Sequence, residues 1–252
     1  MKEAMLEKLY KTLSKDFCCE TENFINPGLY ITKFSEKEGR RKFPVSSKHF
    51  SFISINNSLV VCTAEKNYDW CLQSFEGMSK QDFFLPQNIV RIEEKIKEDG
   101  SGLRGPEFKF ICEATQTERP LKTDYVVDIY YKDEIHKLYK FKNFQNALTY
   151  KKDLQRDDEI ALTITHKGKI IAIAGASSDS EDLWQIGLDV KEKYRDMGIG
   201  KFLLNLITKN IIKLKKIPYY STTVWNIPSM NLALYSGYKL LWVEYYSREV
   251  YR

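Results

Sequence analysis

The chain has 252 residues, 43% of them hydrophobic, and carries 39 basic against 34 acidic side chains for a net charge of +5. That is enough apolar material for one large domain or two small ones around a real core, which excludes an unfolded or fibrous chain. The basic residues are spread along the sequence rather than gathered into an arm, which suits an anionic small molecule; nucleic acid is not expected as a partner.

The sequence has no run of about 18 apolar residues that could span a bilayer, so no membrane contact is expected. The stretch MKEAMLEKLYKTLSKDF lacks the uninterrupted apolar segment of a secretion signal, and the expected location is cytoplasmic. Cys18, Cys19, Cys62, Cys71 and Cys112 show no Cys-x-x-Cys spacing and are expected as reduced thiols. His49, His136 and His166 lie far apart without helical pairing, so no metal site is expected.

In chain order, Met5, Leu6, Leu9 and Leu13 recur at helical spacing within Glu3 to Leu13. FSFISINNSLVVCTAE reads as two short strands around an Asn-Asn-Ser turn. PQNIVRIEEKIKEDG reads as a helix with Pro86 near its start and Gly100 at its end. GSGLRGP, from Gly100 to Pro106, reads as a loop, and the polar stretch Glu113 to Asp124 as a domain boundary, placing an N-terminal α+β domain over residues 1–118.

Beyond it, YVVDIYY reads as a strand and DEIHKLYKF and NFQNALTYKKDL as two short helices. EIALTITHKGKIIAIAGASS is a hairpin turning at Lys167-Gly168-Lys169, and LWQIGLDV is the next strand. A helix from about Lys201 to Lys215 follows, with Phe202, Leu203, Leu206, Ile207 and Leu214 on its buried stripe. The last elements are YYSTTVW as a strand, SMNLALYS as a short helix and YKLLWVEYYS as a strand.

The segment VKEKYRDMGIGKFLLNLI joins a strand to that long helix through two glycines and an arginine. Amide N–H groups at a helix start lack intrahelical partners, and the helix dipole adds partial positive charge there. With Arg195 beside it, this turn suits a phosphate or pyrophosphate. It is not a P-loop, because Lys201 is followed by Phe202 rather than a hydroxyl residue, and Leu203 stands where a dinucleotide fingerprint needs its third glycine.

RDMGIG in this position, together with the downstream NIPSMNLALYSGYK, resembles the GNAT superfamily of acyl-CoA-dependent N-acetyltransferases over the second half of the chain, residues 119–252. The resemblance implies an α/β fold: a mixed, twisted sheet flanked by helices, whose splayed strands admit acetyl-CoA like an extra strand. It implies that Leu188, Asp189 and Val190 offer backbone to the pantetheine arm, and that Arg195, Asp196, Met197, Gly198, Ile199, Gly200 and Lys201 cradle the pyrophosphate, without a metal. Asn226 and Ser229 would lie near the far arm of the coenzyme; they also suit the capping of a short helix.

The implied reaction moves an acetyl group to a primary amine of a small-molecule or peptide acceptor. Many relatives carry a glutamate base in the strand before the loop, whereas Trp184 and Gln185 stand here, with Glu181 and Asp182 at the strand's entrance. A water-relayed base is implied. Ala233 occupies the place of the family's acid tyrosine; Tyr235 lies two residues later, turned through about 200° on a helix. Glu244 is a further carboxylate candidate, and Asp189 shares its ambiguity of facing. Residues 1–118 are expected to shape the acceptor site or to mediate self-association as a homodimer. The alternatives are a coenzyme A-binding sensor or scaffold without turnover and, in a third class, an RNA-binding protein.

Overall fold

A computed structural model describes residues 2–42, 50–112, 121, 124–150 and 156–250. The elements of the first part are α1 (Lys2–Asp16), β1 (Gly28–Lys33), β2 (Phe50–Ile55), β3 (Ser58–Thr63), α2 (Glu65–Phe75), α3 (Lys80–Phe83), α4 (Pro86–Lys97) and β4 (Ser101–Ile111). There follow β5 (Tyr125–Tyr131), β6 (Asp158–His166), β7 (Lys169–Ser178), β8 (Leu183–Val190), α5 (Ile199–Lys213), β9 (Ile217–Thr223), α6 (Ile227–Tyr235) and β10 (Lys239–Glu249).

The chain divides into two compact units: Met1–Lys109 with Thr223–Trp225 and Leu241–Arg252, and Phe110–Thr222 with Asn226–Leu240. A single boundary near residue 118 gives way to a division in which the chain returns to its first unit at the end. Residues 113–120 themselves lie outside the described residues.

In the first unit the strands follow the order β1-β3-β2-β10-β4. The hairpin of β2 and β3 turns at Asn56 and Asn57, with Asn56 at φ 49°, as the Asn-rich turn predicts. β1 joins β3 in parallel, and β10 joins β2 antiparallel through Trp242↔Ile55 to Tyr246↔Ser51. Phe50, Phe52, Leu59, Val61, Phe75, Phe83, Ile92 and Ile96 fill the core between this sheet and α2 to α4.

The glycine-rich segment from Ser101 is strand β4 rather than a loop. Its glycines let neighbours approach: a Cβ at Gly105 would lie 2.8 Å from the Tyr245 ring, and one at Gly102 would lie 3.0 Å from Val250.

In the second unit the order is β9-β8-β7-β6-β5, antiparallel throughout except for β8 with β9. The β6–β7 turn places Lys167 and Gly168 at φ 50° and 72°, matching a primed hairpin turn. The two short helices expected after β5 do not form as such. Lys132–Leu138 is a 3-10 helix, 142–147 is a chain of turns, and 151–155 lie outside the described residues. Ile135, Leu138, Phe144, Ala147 and Leu148 are buried all the same, against Ala161 and Ile173. Their apolar spacing records packing on the sheet rather than helical repeat.

α5 begins two residues earlier than its pattern predicts and buries Ile199, Leu203, Leu204, Ile207 and Ile211. Leu214 caps its end and is 44% exposed, so it leaves the predicted stripe.

Candidate functional site

Parallel strands β8 and β9 pair from Leu183↔Ile217 to Ile186↔Tyr220 and then separate. β8 continues to Val190, held on its other side by β7 through Ala172↔Val190. The edge of Gly187, Leu188, Asp189 and Val190 that faces away from β7 therefore has no ladder partner on β9. Such an edge can take an extended amide-bearing chain as an added strand.

Past Val190 the chain makes a short 3-10 turn, Glu192–Tyr194, and enters α5 through Gly198, which sits at φ 80°. A left-handed residue there costs glycine nothing and any branched residue dearly. No side chain caps α5, and a Cβ built on Gly198 meets no atom within 4 Å. The first-turn amides of Ile199, Gly200 and Lys201 thus point from a positive helix end without an internal acceptor, the arrangement that binds anions. Arg195 braces the turn, its Nε donating to the Val190 carbonyl at 3.3 Å. Asp196 follows at φ 60°, and the exposed Met197 sulfur accepts from the Tyr125 hydroxyl at 3.9 Å. Gly200 brings Leu232 of α6 and Leu188 of β8 within ordinary contact of the helix.

α6 starts differently. Asn226 caps it, accepting from the Ser229 amide at 3.2 Å, so the capping role predicted for this pair is present. The Ser229 hydroxyl bonds the Tyr220 hydroxyl at 2.7 Å. Burial pushes the Tyr220 phenol above its usual range, which keeps it protonated beside the point where β8 and β9 part.

A pocket of about 170 Å³ opens over β7 and β8, bordered by residues 145–149, Arg156, Asp158, Ser177 and Gln185. Two carboxylates pin its wall. Asp189 accepts from the Asn146 backbone and side chain at 2.7 and 2.8 Å, and Asp158 accepts from the Thr149 amide and hydroxyl and from Tyr139. The wall lies so close to the sheet that a Cβ on Gly187 would sit 1.9 Å from the Asn146 carbonyl, and one on Gly175 would sit 2.2 Å from that of Ala147. Arg156 bridges Asp179 at 2.9 Å and Gln185 at 3.2 Å, and the Tyr219 hydroxyl joins both of those residues.

The sequence-derived catalytic candidates do not converge on this pocket. Glu181 is exposed and Asp182 half-buried at the start of β8, and neither lines it. Tyr235 is 68% exposed near the end of α6, while Ala233 beside it is fully buried. The Asp189 side chain is spent on Asn146, leaving only its backbone to a ligand.

Glu244 belongs to the first unit and is 1% exposed, accepting from Arg41 and from the Trp242 indole, each at 2.9 Å, with Lys109 at 3.7 Å. Arg41 also pairs with buried Asp16, and Lys109 with Glu107 at 2.7 Å. Burial alone would raise the Glu244 carboxyl, but Arg41, Lys109 and Trp242 together bring it down to about 2. A carboxylate held that low and walled in by cations is a poor proton acceptor at neutral pH, which corrects its candidacy as a base.

Sequence reading missed Tyr220, Arg156, Asp179 and Asn146. Strand alternation places Tyr219 and Tyr220 on opposite faces of β9 but does not tell which faces the splay. Among the described residues no group of three His, Cys, Asp or Glu side chains could hold a metal ion, and no helix is long and apolar enough to cross a membrane.

Residues 124–238 match the family model described as the acetyltransferase (GNAT) family. No curated protein matches. A solved GNAT-family structure from Novosphingobium aromaticivorans is 12% identical with a TM-score of 0.45, covering 59% of this chain and 66% of its own. A GCN5-related N-acetyltransferase-like protein from Streptococcus suis is 19% identical at 0.41, covering 64% and 68%. A tandem GNAT protein from the clavulanic acid biosynthesis pathway is 10% identical at 0.43, covering 61% and 57%. This chain thus spans just under two thirds of the first of those structures. The family match falls on the splayed strands, the glycine turn and α5, and residues 124–238 are a domain of the GNAT acetyltransferase family.

Proposed function

We propose that the protein is an N-acetyltransferase moving an acetyl group from acetyl-CoA to the primary amine of a small-molecule or peptide acceptor, in one complex containing both. The observation that carries this reading is the parting of β8 and β9 after Ile186↔Tyr220, followed at once by the uncapped start of α5. The open edge matches the amides of a pantetheine arm, and the α5 amides with Arg195 match a pyrophosphate. The absence of any neighbour within 4 Å of a Cβ at Gly198 fits that placement. Acetyl-CoA, when bound, supplies the acyl group as an activated thioester.

The chain's own part is placement and proton handling. Residues 145–149, pinned by Asp158 and Asp189, form a fixed wall against which an amine is held, and such positioning supplies most of the rate in our reading. Gln185 stands where a base would be useful and cannot take a proton, so water relays it to the solvent-side carboxylates Glu181 and Asp182. The buried hydroxyl of Tyr220, kept protonated, is the better placed donor for a leaving thiolate than the exposed Tyr235.

Calorimetry with acetyl-CoA in metal-free buffer tests the reading. Binding at tens of micromolar, an affinity of about −6 to −7 kcal/mol, followed by acetylation of at least one member of an amine panel, is expected. No binding, or binding that requires a divalent ion, overturns it. The missing strand glutamate favours one second reading, a coenzyme A-binding sensor without turnover, which binding with no acetylated amine would select.

A further inference from the structure

The pocket in the second unit is built on one face of the antiparallel pair β7 and β8. Residues opposite each other across the pair share a face, so Ser177↔Gln185, Gly175↔Gly187 and Ile173↔Asp189 stand in a row. The two glycines leave the middle of that row bare, and the wall of residues 145–149 closes over it. At about 170 Å³ the space is smaller than the roughly 300 Å³ at which pockets for drug-sized ligands begin. It takes a short group rather than a long chain.

Two side-chain amides border this space, and their partners fix which atom each presents. Arg156 can only donate, so its 3.2 Å bond to Gln185 holds the amide oxygen and leaves the Nε2 hydrogens as donors. The Asp189 carboxylate accepts from Asn146 Nδ2 at 2.8 Å, which leaves Asn146 Oδ1 as an acceptor. Among the described residues neither Gln185 Nε2 nor Asn146 Oδ1 has a partner. Ser177, opposite Gln185 on β7, adds a hydroxyl at the donor end. The Arg156 charge is met by Asp179 at 2.9 Å, and Asp158 borders the same space, so this end answers a neutral oxygen better than a carboxylate.

We propose that the acceptor is a short amine carrying a neutral oxygen, a hydroxyl or an amide carbonyl, a few bonds from its nitrogen. The inference rests on the acetyltransferase reading and names the class of amine that reading leaves open. The nitrogen donates to Asn146 Oδ1, which Asp189 ties to the edge of β8 that is free for the coenzyme, and so lies toward the thioester. The oxygen accepts from the Gln185 amide and the Ser177 hydroxyl at the other end, and Gly175 and Gly187 leave room for the carbons between. A hydrocarbon amine enters the same space but strands the Gln185 donor. A site built to bond an oxygen rejects the analogue that lacks it, because the site's own polar group is left unpaired.

NMR titration of the intact chain with ethanolamine, glycinamide, glycine and propylamine, four amines of similar size, tests this without acetyl-CoA. Ethanolamine and glycinamide are expected to bind at least about tenfold more tightly than propylamine and glycine, and to shift the side-chain amide signals of Gln185. A preference for ethanolamine alone assigns the oxygen as a hydroxyl, and one for glycinamide alone as a carbonyl. Gln185→Leu should bring the favoured amine down to the level of propylamine. The proposal falls if no amine binds, if propylamine or glycine binds as tightly as the best of the other two, if the Gln185 signals stay in place on binding, or if Gln185→Leu keeps the preference. Where that variant fails to fold, the wild-type Gln185 signals decide. Because the coenzyme is absent, the expected order with no acetylated amine overturns the acetyltransferase reading and leaves the pocket's selectivity standing, whereas acetylation without that order overturns the selectivity alone.

Discussion

Two regions of this molecule collect positive charge, and they treat it in opposite ways. In the first unit Arg41 and Lys109 are buried, and Asp16, Glu107 and Glu244 answer them through direct contacts. At the start of α5 the positive end of a helix and Arg195 stand exposed, with no side chain capping the helix. A buried charge must be met within the fold, because desolvation is otherwise too costly. A helix end at the surface can wait for a ligand. Internal satisfaction marks architecture, and unanswered polarity with open space before it marks a binding site.

The largest effect that comparison predicts is at Glu244. Replacing it by Gln keeps the shape but leaves Arg41 and Lys109 short of a counter-charge, and should cost about 3–5 kcal/mol of stability in denaturant unfolding. Acetyl-CoA affinity of the remaining folded protein should not change. A stable Glu244→Gln variant that has lost turnover would return this carboxylate to the catalytic machinery and collapse the distinction. Acid sharpens the same test. The folded-state carboxyl at about 2 lies below its usual 4.5, so its stabilisation is complete above 4.5 and is lost as pH falls toward 2. Burial raises Asp16, which works in the opposite direction, so the informative quantity is the stability gap between wild type and Glu244→Gln. It should hold constant above pH 4.5 and shrink below it.

The same contrast explains what the sequence could and could not disclose. The turn at Asn56, the Lys167-Gly168 hairpin and the Gly198 helix start were legible because each is set by residues adjacent in the chain. Strand β4 was not, since its glycines admit Tyr245 and Val250, which stand about 140 residues further along the chain. The segment after β5 has helical apolar spacing, yet Asp158 and Asp189 hold it as turns on the sheet. Glu244 reads as a surface or cleft carboxylate until Arg41, 203 residues away, is placed beside it. The glycine turn before α5 was readable for the same reason that it is open: its character lies in consecutive backbone amides rather than in distant partners.

At the open region, Gly198→Val should weaken acetyl-CoA binding at least tenfold, about 1.4 kcal/mol, because a branched side chain both strains φ 80° and fills the approach to the amides. Arg195→Ala should cost less, since the amides and the helix dipole remain. Calorimetry on both variants checks the order; equal or reversed losses would move the anion site away from the turn. The capped helix supplies the control. Asn226→Ala removes the bond to the Ser229 amide and should lower stability by about 1 kcal/mol, with a smaller loss of coenzyme affinity than Gly198→Val.

The smallest expected effects belong to Glu181 and Asp182, and they bear on how an acyl transfer proceeds without a glutamate in the strand before the glycine turn. Glu181 is exposed and Asp182 half-buried, and neither lines the pocket, so each can receive a proton only through water. A relay with several acceptors loses little when one is removed. Alanine at either position should therefore lower turnover by less than the 10²–10⁴-fold typical of a dedicated general base, with acetyl-CoA affinity unchanged. The measurement is turnover against pH for each variant, with an amine the panel identifies. If one substitution removes activity by that full factor and abolishes the acidic limb of the profile, that residue is a dedicated base, and the polar wall of the pocket would be serving orientation alone. If neither does, the pinned wall and Gln185 are the place to look next. Loosening the wall through Asp158→Asn should then reduce turnover more than either carboxylate at the start of β8, because a mispositioned amine reacts slowly whatever accepts its proton.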